Sequence, residues 1–138
     1  MKAFIDTSSL LKKYITEEGS DTFDHLLEEI SEIIVAPFCL LELHSAIRRL
    51  LKEKRLTENE ALQLLKETRQ DILYFSRIHW NDNLEQEVLE LIQKYQLKTL
   101  DSLQLACGYL SQSDMFITSD EKLYHAAKKE LNNVKLIL

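Results

Sequence analysis

Short apolar segments alternate with helical patterns along this chain, and this alternation constrains its fold more than any other feature. We predict strands at about Lys2–Asp6, Ile33–Val35, Ile72–Phe75, Met115–Ile117 and Val134–Leu138. The segments between them carry apolar residues at helical spacing. Strands that alternate with helices form a mostly parallel sheet with helices on both faces. The sequence therefore predicts an α/β fold, and its 138 residues suit one domain spanning 1–138.

Two of the helical segments lie next to each other in the chain. A long helix is predicted from Phe38 to about Arg55, with its apolar residues on one broad face. Thr57 and Glu60 have the spacing of a capping box, which predicts a second helix running to about Gln70. We expect these two segments to form a helical hairpin that protrudes from the sheet.

The composition favours a cytoplasmic protein that does not enter membranes. No segment approaches the roughly 18 to 20 continuous apolar residues of a membrane span, and the first residues lack the features of a signal peptide. Cys39 and Cys107 lie in apolar helical contexts without other ligands at zinc spacing. We expect both to be buried, reduced thiols, although a disulfide stays possible. Trp80 is expected to be partly buried.

Two carboxylates follow predicted strands directly. Asp6 ends the first strand and Asp120 follows the strand at Met115–Ile117, and a helical pattern begins after each. Carboxyl ends of parallel strands share one edge of the sheet, where open α/β sheets bind their ligands. Ser8 and Thr118 each lie within two residues of these acids, so they could hold a carboxylate or a metal-bound water. Each acid could instead be a simple helix N-cap.

Glu42 and Asp101 lie near the starts of predicted helices, among leucines. Helix N-termini that follow parallel strands point to the same edge, so these two acids are expected to join Asp6 and Asp120. Converging carboxylates repel each other unless a cation holds them, and oxygen ligands favour Mg²⁺ or Mn²⁺ over zinc. Such an ion can activate water against a phosphodiester. Alternatively, Asp101 only complements its helix dipole, and Glu42 is an ordinary helical glutamate.

The net charge of −6 argues, taken alone, against a nucleic-acid partner. Bound divalent cations would offset part of it, and positive charge is concentrated locally between Arg48 and Arg55. Arg48, Arg49 and Lys52 are therefore candidates for contacts with RNA. The alternative is a solvated helix face with no specific ligand.

Four blocks of sequence match a known family, in the family's order and over essentially the whole chain. They are Ile5-Asp6-Thr7-Ser8-Ser9-Leu10-Leu11-Lys12; Leu41-Glu42-Leu43 with Ala46, Arg49 and Leu50; Leu100-Asp101-Ser102-Leu103-Gln104-Leu105-Ala106; and Phe116-Ile117-Thr118-Ser119-Asp120 with Leu123 and Ala127. With these blocks the chain resembles the PIN domain, most closely the VapC-type toxins of bacterial and archaeal toxin–antitoxin pairs. One departure is Ser102, where the family very often has Ala.

This resemblance implies a three-layer α/β/α sandwich and cleavage of RNA by an endonuclease that depends on Mg²⁺ or Mn²⁺. Asp6, Glu42, Asp101 and Asp120 match the family's acidic positions, and Thr118 matches its hydroxyl position. The resemblance also implies a cognate antitoxin that blocks the site, a toxin homodimer, and a role for the hairpin as a clamp for the antitoxin.

The leading hypothesis is thus a toxin ribonuclease. A solitary PIN nuclease in RNA processing and a catalytically silent binding module with this fold stay open as alternatives. Phosphotransferases of the receiver and haloacid-dehalogenase kinds are disfavoured because Ser8 stands where a second acid is needed. Dinucleotide binding is disfavoured because no Gly-rich turn is present.

Overall fold

The computed structural model describes residues 1–138, in which strands and helices alternate along the chain. The strands are β1 (Lys2–Ile5), β2 (Glu32–Val35), β3 (Ser76–Arg77), β4 (Met115–Thr118) and β5 (Val134–Leu136). The helices are α1 (Thr7–Leu10), α2 (Ser20–Leu27), α3 (Cys39–Lys52), α4 (Glu58–Asp71), α5 (Asp82–Tyr95), α6 (Thr99–Ser111) and α7 (Glu121–Glu130). Short 3₁₀ turns extend α1 and α4.

All five strands form one parallel sheet in the order β3-β2-β1-β4-β5. Phe4 in the central strand lies opposite Ile34 on one side and Phe116 on the other. Because every strand runs in the same direction, the segments that follow the strands meet at one edge. The predicted α/β fold with helices on both faces of a parallel sheet is confirmed.

Two apolar clusters, one on each face of the sheet, make up the core. Phe4 belongs to a cluster of 15 buried residues shared with α5, α6 and α7, and its ring stacks on that of Phe116 at 5.3 Å between centroids. Its neighbours Ala3 and Ile5 belong to the second cluster, of 10 buried residues, shared with α1, α2 and α3. This alternation follows from the period of two along a strand, and it produces the three layers.

Helix α6 packs unusually close to the sheet at Gly108. A Cβ atom at this position would lie 2.3 Å from the Phe116 ring, so no larger residue fits without displacement. The glycine therefore lets the helix approach the sheet directly. This approach matters for the site because α6 carries Asp101 in its first turn.

The predicted strand at Ile72–Phe75 is wrong. Residues Ile72–Tyr74 form a 3₁₀ turn that continues α4, and the third strand is the two-residue segment Ser76–Arg77. Ile72 is buried in the core and Phe75 packs against it partly buried, while Leu73 is 78% exposed and Tyr74 88% exposed. The run therefore lacks the buried faces of an inner strand.

Several element ends also differ from those predicted. Helix α3 ends at Lys52 instead of Arg55, and β5 ends at Leu136 instead of Leu138, so these elements are three and two residues shorter than predicted. The long helix stops early because the chain turns at Lys54, whose φ is 60°.

The hairpin is present, since α3 and α4 pack against each other. Its second helix begins with the predicted capping box: the Glu60 N–H donates to the Thr57 hydroxyl at 3.2 Å, and the Thr57 N–H donates to the Glu60 carboxylate at 2.9 Å. Cys39 and Cys107 are buried free thiols. None of the helices combines the length and apolar character needed to cross a membrane.

Candidate active site

Asp6 is the most tightly held acid of the site. Its side chain is 3% exposed and accepts three hydrogen bonds. The Ser8 hydroxyl and the Ser9 N–H donate to Oδ1 at 2.6 and 3.1 Å, and the Thr118 hydroxyl donates to Oδ2 at 2.6 Å. Burial raises the pKa of Asp6 to about 6 despite these bonds, and the charge of Asp120 adds a smaller upward shift.

Both hydroxyls that hold Asp6 are themselves oriented by backbone groups. The Ser119 N–H donates to the Ser8 oxygen at 3.1 Å, and the Asp120 N–H donates to the Thr118 oxygen at 3.1 Å. Each hydroxyl oxygen thus accepts from the β4–α7 turn, and its hydrogen is directed to Asp6. The structure places Ser8 and Thr118 against a carboxylate, at the position where the sequence analysis expected them.

Glu42 is half-buried and is held by residues of two other helices. Its Oε1 accepts from the Thr7 hydroxyl at 3.1 Å and from the Gln104 side-chain amide at 2.9 Å. Burial raises the pKa of Glu42, and the charges of Asp6 and Asp101 raise it further. Gln104 is 3% exposed, and its own carbonyl oxygen has no hydrogen-bond partner.

The other two acids lie at helix N-termini, as predicted. Asp101 is in the first turn of α6, and burial followed by the charge of Asp120 raises its pKa, against the opposing charges of Lys98 and Lys122. Asp120 is the N-cap of α7 and accepts from the Leu123 N–H at 2.9 Å. Asp6 and Asp120 therefore follow β1 and β4, whereas Glu42 and Asp101 lie in the first turns of α3 and α6.

Electrostatic coupling connects the four acids in a ring. Asp6 interacts with Asp120 and Glu42, and Asp101 interacts with the same two residues. All four ion pairs of the structure involve other acids. Clustered anions that form no ion pair favour binding of a cation.

The spacing of these side chains is wider than in a formed metal site. No group of three or more His, Cys, Asp or Glu side chains has an arrangement that could hold a metal ion. The structure therefore shows carboxylates that share one edge of the sheet and influence each other, whereas their role as metal ligands stays a prediction.

The available oxygen atoms suit a hard divalent ion in their chemistry. Oδ1 of Asp6 already accepts two hydrogen bonds, while Oδ2 accepts one and keeps a lone pair. Oε2 of Glu42 and both oxygens of Asp101 accept no hydrogen bond from the protein. The donor set is made of oxygen alone, which favours Mg²⁺ or Mn²⁺.

Asp6 and Asp120 both act as helix N-caps, which is the alternative role predicted for them. Asp6 caps α1 through Ser9, and Asp120 caps α7 through Leu123. Capping occupies one lone pair of a carboxylate that has about four, so it does not prevent a second role.

Arg48, Arg49 and Lys52 are exposed on α3, beyond Glu42. Arg49 follows Glu42 by seven residues, which places it on the same helix face about 10 Å further along the axis. The structure is compatible with both expectations for these residues, contact with RNA or a solvated surface.

The sequence analysis assigned no role to Thr7, Ser9, Gln104 or Ser119. Thr7 and Gln104 hold Glu42, and the hydroxyls of Ser9 and Ser119 lie 2.7 Å apart across the junction of α1 and β4. The sequence contained one indication for Gln104. Its amide lies about one turn after Asp101 and between two leucines of a buried helix, and a buried amide needs a polar partner.

Comparison with known proteins places this geometry in a family. Residues 3–129 match the PIN domain. A comparison with curated proteins gives no significant match. Among solved structures, the fold is similar to a toxin–antitoxin complex from Klebsiella pneumoniae, with 18% identity, a TM-score of 0.71 and coverage of 96% of this chain and 95% of that chain.

Two further structures share the fold. VapC20 of Mycobacterium tuberculosis, described as a toxin that cleaves the sarcin-ricin loop, has 15% identity and a TM-score of 0.70, with coverage of 90% of this chain and 94% of that chain. FitAcB from Neisseria gonorrhoeae has 13% identity and a TM-score of 0.68, with coverage of 96% and 95%. Because the family match spans residues 3–129 of the 138, this chain belongs to the PIN domain family.

Proposed function

We propose that this protein is an endoribonuclease that depends on Mg²⁺ or Mn²⁺ and acts as the toxin of a toxin–antitoxin pair. The observation that carries the proposal is the placement of four carboxylates, none of which forms an ion pair, at the carboxyl edge of the sheet. PIN domains are typically nucleases that bind divalent metal, and one structure of similar fold is described as a toxin that cleaves the sarcin-ricin loop.

Asp6, Glu42, Asp101 and Asp120 would hold the ion. A bound divalent ion supplies Lewis acidity, which lowers the pKa of water and offsets charge on the phosphodiester. The rest of the chemistry falls to the chain itself. Ser8 and Thr118 fix the Asp6 carboxylate from both sides, so it presents one remaining lone pair of Oδ2.

Glu42 is suited to accept a proton from the attacking water. Its Oε1 is fixed by Thr7 and Gln104, and its Oε2 is free.

The partners follow from the same proposal. Similar folds were crystallised in toxin–antitoxin complexes. We expect a cognate antitoxin to bind this chain and block the acids, with the α3–α4 hairpin as its clamp, and we expect the toxin to form a homodimer.

The test is cleavage of a structured RNA by the purified protein with Mg²⁺ or Mn²⁺, and its loss in EDTA. Asp6→Asn and Asp101→Asn are expected to abolish cleavage with the fold intact by circular dichroism. Asp82→Asn is the matched control, because Asp82 is an exposed acid in the first turn of α5. If both site variants cut as well as the parent, these acids are not the catalytic groups.

The silent binding module has one observation in its favour, namely the wide spacing of the acids. It predicts RNA or protein binding without cleavage at any metal concentration. The toxin role is tested separately by growth arrest on expression and its relief by the product of a small neighbouring gene. Cleavage without growth arrest would favour a solitary nuclease.

A further inference from the structure

A groove next to the acids is lined by aromatic and basic side chains that the proposed chemistry does not use. It has a volume of about 500 Å³, and its lining includes Pro37, Phe38, Leu73, Arg77, His79 and Trp80. None of its nine lining residues is acidic, although the chain carries a net charge of −6. The groove therefore offers apolar rings together with the positive charge of Arg77.

This groove, called the aromatic groove below, lies at the same edge of the sheet as the acids. Phe38 follows β2 and Trp80 follows β3, just as Asp6 follows β1. Adjacent strands are about 4.8 Å apart, so β3 is about 10 Å from β1. Phe38 also adjoins Glu42 directly, since the Glu42 N–H donates to the Phe38 carbonyl at 2.9 Å. A bound chain can thus run from the groove to the acids without leaving the surface.

The two rings are presented to solvent rather than packed into the core. Phe38 is 47% exposed and Trp80 is 48% exposed, with ring centroids 6.4 Å apart and planes tilted by 43°. A base sandwiched between two parallel rings needs a ring-to-ring distance of about twice the stacking distance of roughly 3.4 Å. The rings of Phe38 and Trp80 are closer together than that and are not parallel, so no base fits between them. A base can instead stack on the open face of either ring.

The backbone at Phe38 supports a functional reason for its exposure. Its φ is 72°, a left-handed conformation that a bulky residue rarely adopts. A phenylalanine held there, with half its surface in water, gains little for the fold, and such outliers concentrate at ligand sites. Arg77 is exposed and takes part in none of the ion pairs, so its guanidinium is available for a phosphate.

We infer that the aromatic groove binds a single-stranded segment of the RNA substrate beside the scissile bond, with a base stacked on Trp80 or Phe38 and a phosphate on Arg77. Stacking on aromatic rings is tolerant of sequence and needs unpaired bases. The positive charge of the lining favours RNA over an apolar protein segment. This inference rests on the proposed function, because it concerns the substrate of the same site.

The first test uses the fluorescence of Trp80, which is the single tryptophan of the chain. A ten-nucleotide RNA of mixed sequence is titrated into Asp101→Asn protein with Mg²⁺, and binding is followed in parallel by anisotropy of a label on the RNA. We expect the tryptophan emission to fall over the same range of RNA concentration in which the anisotropy rises. A duplex of the same sequence is expected to quench little. RNA that binds without changing the emission would exclude stacking on Trp80, and the inference is overturned if Phe38→Gly protein then also binds this RNA as tightly as the parent.

The second test uses kinetics on two substrates. Trp80→Ala and Arg77→Gln are each expected to raise KM for the RNA about tenfold with little change in kcat. For an RNA whose nucleotides flanking the scissile bond lack their bases, Trp80→Ala is expected to change KM little, because no base is left to stack on the ring, whereas Arg77→Gln is still expected to raise KM. Tyr74→Ala is the matched control: Tyr74 is an exposed aromatic close in sequence but outside the groove.

Phe38→Gly separates an effect on RNA binding from an effect on folding. Glycine adopts a positive φ freely, so this variant removes the ring without straining the backbone, and we expect an unchanged or higher Tm together with a raised KM for RNA. If Trp80→Ala, Arg77→Gln and Phe38→Gly all match Tyr74→Ala on an active parent, the inference fails and the proposed nuclease stands. If the parent neither binds nor cleaves RNA, both fail. If the variants lose only capture of the antitoxin, the groove is a protein site and the inference is wrong.

Discussion

Replacing Asp6 by Asn is expected to stabilise the protein in the absence of metal. The pKa of Asp6 is about 6 in the folded chain against an ordinary value of 3.8, because the carboxylate is buried at 3% exposure. A difference of about two pH units corresponds to roughly 3 kcal/mol of free energy of unfolding at about 1.4 kcal/mol per unit. This free energy is the cost of keeping the Asp6 carboxylate charged in the folded state. The side chain of Asn is neutral and does not carry this cost.

The hydrogen bonds of Asp6 are compatible with the amide. The Asn oxygen can still accept from the Ser8 hydroxyl and the Ser9 N–H and cap α1, and its NH₂ group can donate to the Thr118 hydroxyl, since a hydroxyl both donates and accepts. The substitution also removes a charge that raises the pKa of Glu42. We therefore expect the stabilisation at pH 8 to be about 3 kcal/mol.

The sign of the pH dependence follows from the direction of the shift. An acid with a raised folded pKa binds more protons in the folded state, so the parent loses stability as the pH rises from about 4 to about 6. The gain of the variant is therefore expected near zero at pH 4 and complete above pH 7. Urea unfolding in EDTA at pH 4, 6 and 8 measures it.

Bound metal is expected to reverse the order of stability of the parent and Asp6→Asn. Mn²⁺ is expected to raise the Tm of the parent, because a ligand that binds only the folded state stabilises it, and to leave the Tm of Asp6→Asn nearly unchanged. Asp82→Asn, at an exposed acid, is expected to match the parent in both respects. The reasoning is refuted if Asp6→Asn is no more stable than the parent at pH 8 in EDTA.

Three further substitutions test the surroundings of the site. Gln104→Leu removes a hydrogen bond to Glu42 while keeping the volume, so kcat/KM is expected to fall about 10- to 100-fold with little change in Tm; an unchanged rate would show that the amide does not position the acid. Arg49→Gln is expected to weaken RNA binding and lower its salt dependence by about one unit of slope, whereas Lys135→Gln, at an exposed lysine of the edge strand β5, is expected to change neither. Gly108→Ala is expected to lower the free energy of unfolding by about 1 to 3 kcal/mol in urea, because the added methyl meets an aromatic ring of the sheet at 2.3 Å.

The sequence was sufficient to predict which acids share an edge. Asp6 follows an apolar strand directly, and in a parallel sheet that placement fixes its edge whatever the loops do. Glu42 and Asp101 follow from the starts of their helices, which local patterns predict well. In each case a short-range pattern, combined with one rule about parallel sheets, is enough.

What the sequence could not supply depends on contacts between distant residues. Gln104 is 62 residues from Glu42 in the chain, and no local pattern links the two. The third strand was misplaced for a related reason: Ser76 and Arg77 are exposed and polar, and they pair with β2 only because the fold brings them there. The apolar run before them matched a strand better, yet it continues α4.

Asp120 allows capping and catalysis to be separated within one residue. It caps α7 through Leu123, and its charge raises the pKa of both Asp6 and Asp101. Asn caps a helix about as well as Asp does, so Asp120→Asn is expected to be at least as stable as the parent while losing cleavage at least about 100-fold. Asp120→Ala loses the cap as well and is expected to be about 1 kcal/mol less stable than Asp120→Asn in urea.

The comparison between the two variants decides the role of Asp120. Equal loss of cleavage in Asp120→Asn and Asp120→Ala, with different stabilities, assigns the carboxylate charge to the reaction. Full cleavage by Asp120→Asn would show that the oxygen of the cap is all that the protein needs at this position. The ring of acids would then consist of three members, and the metal would have to be held by Asp6, Glu42 and Asp101 alone.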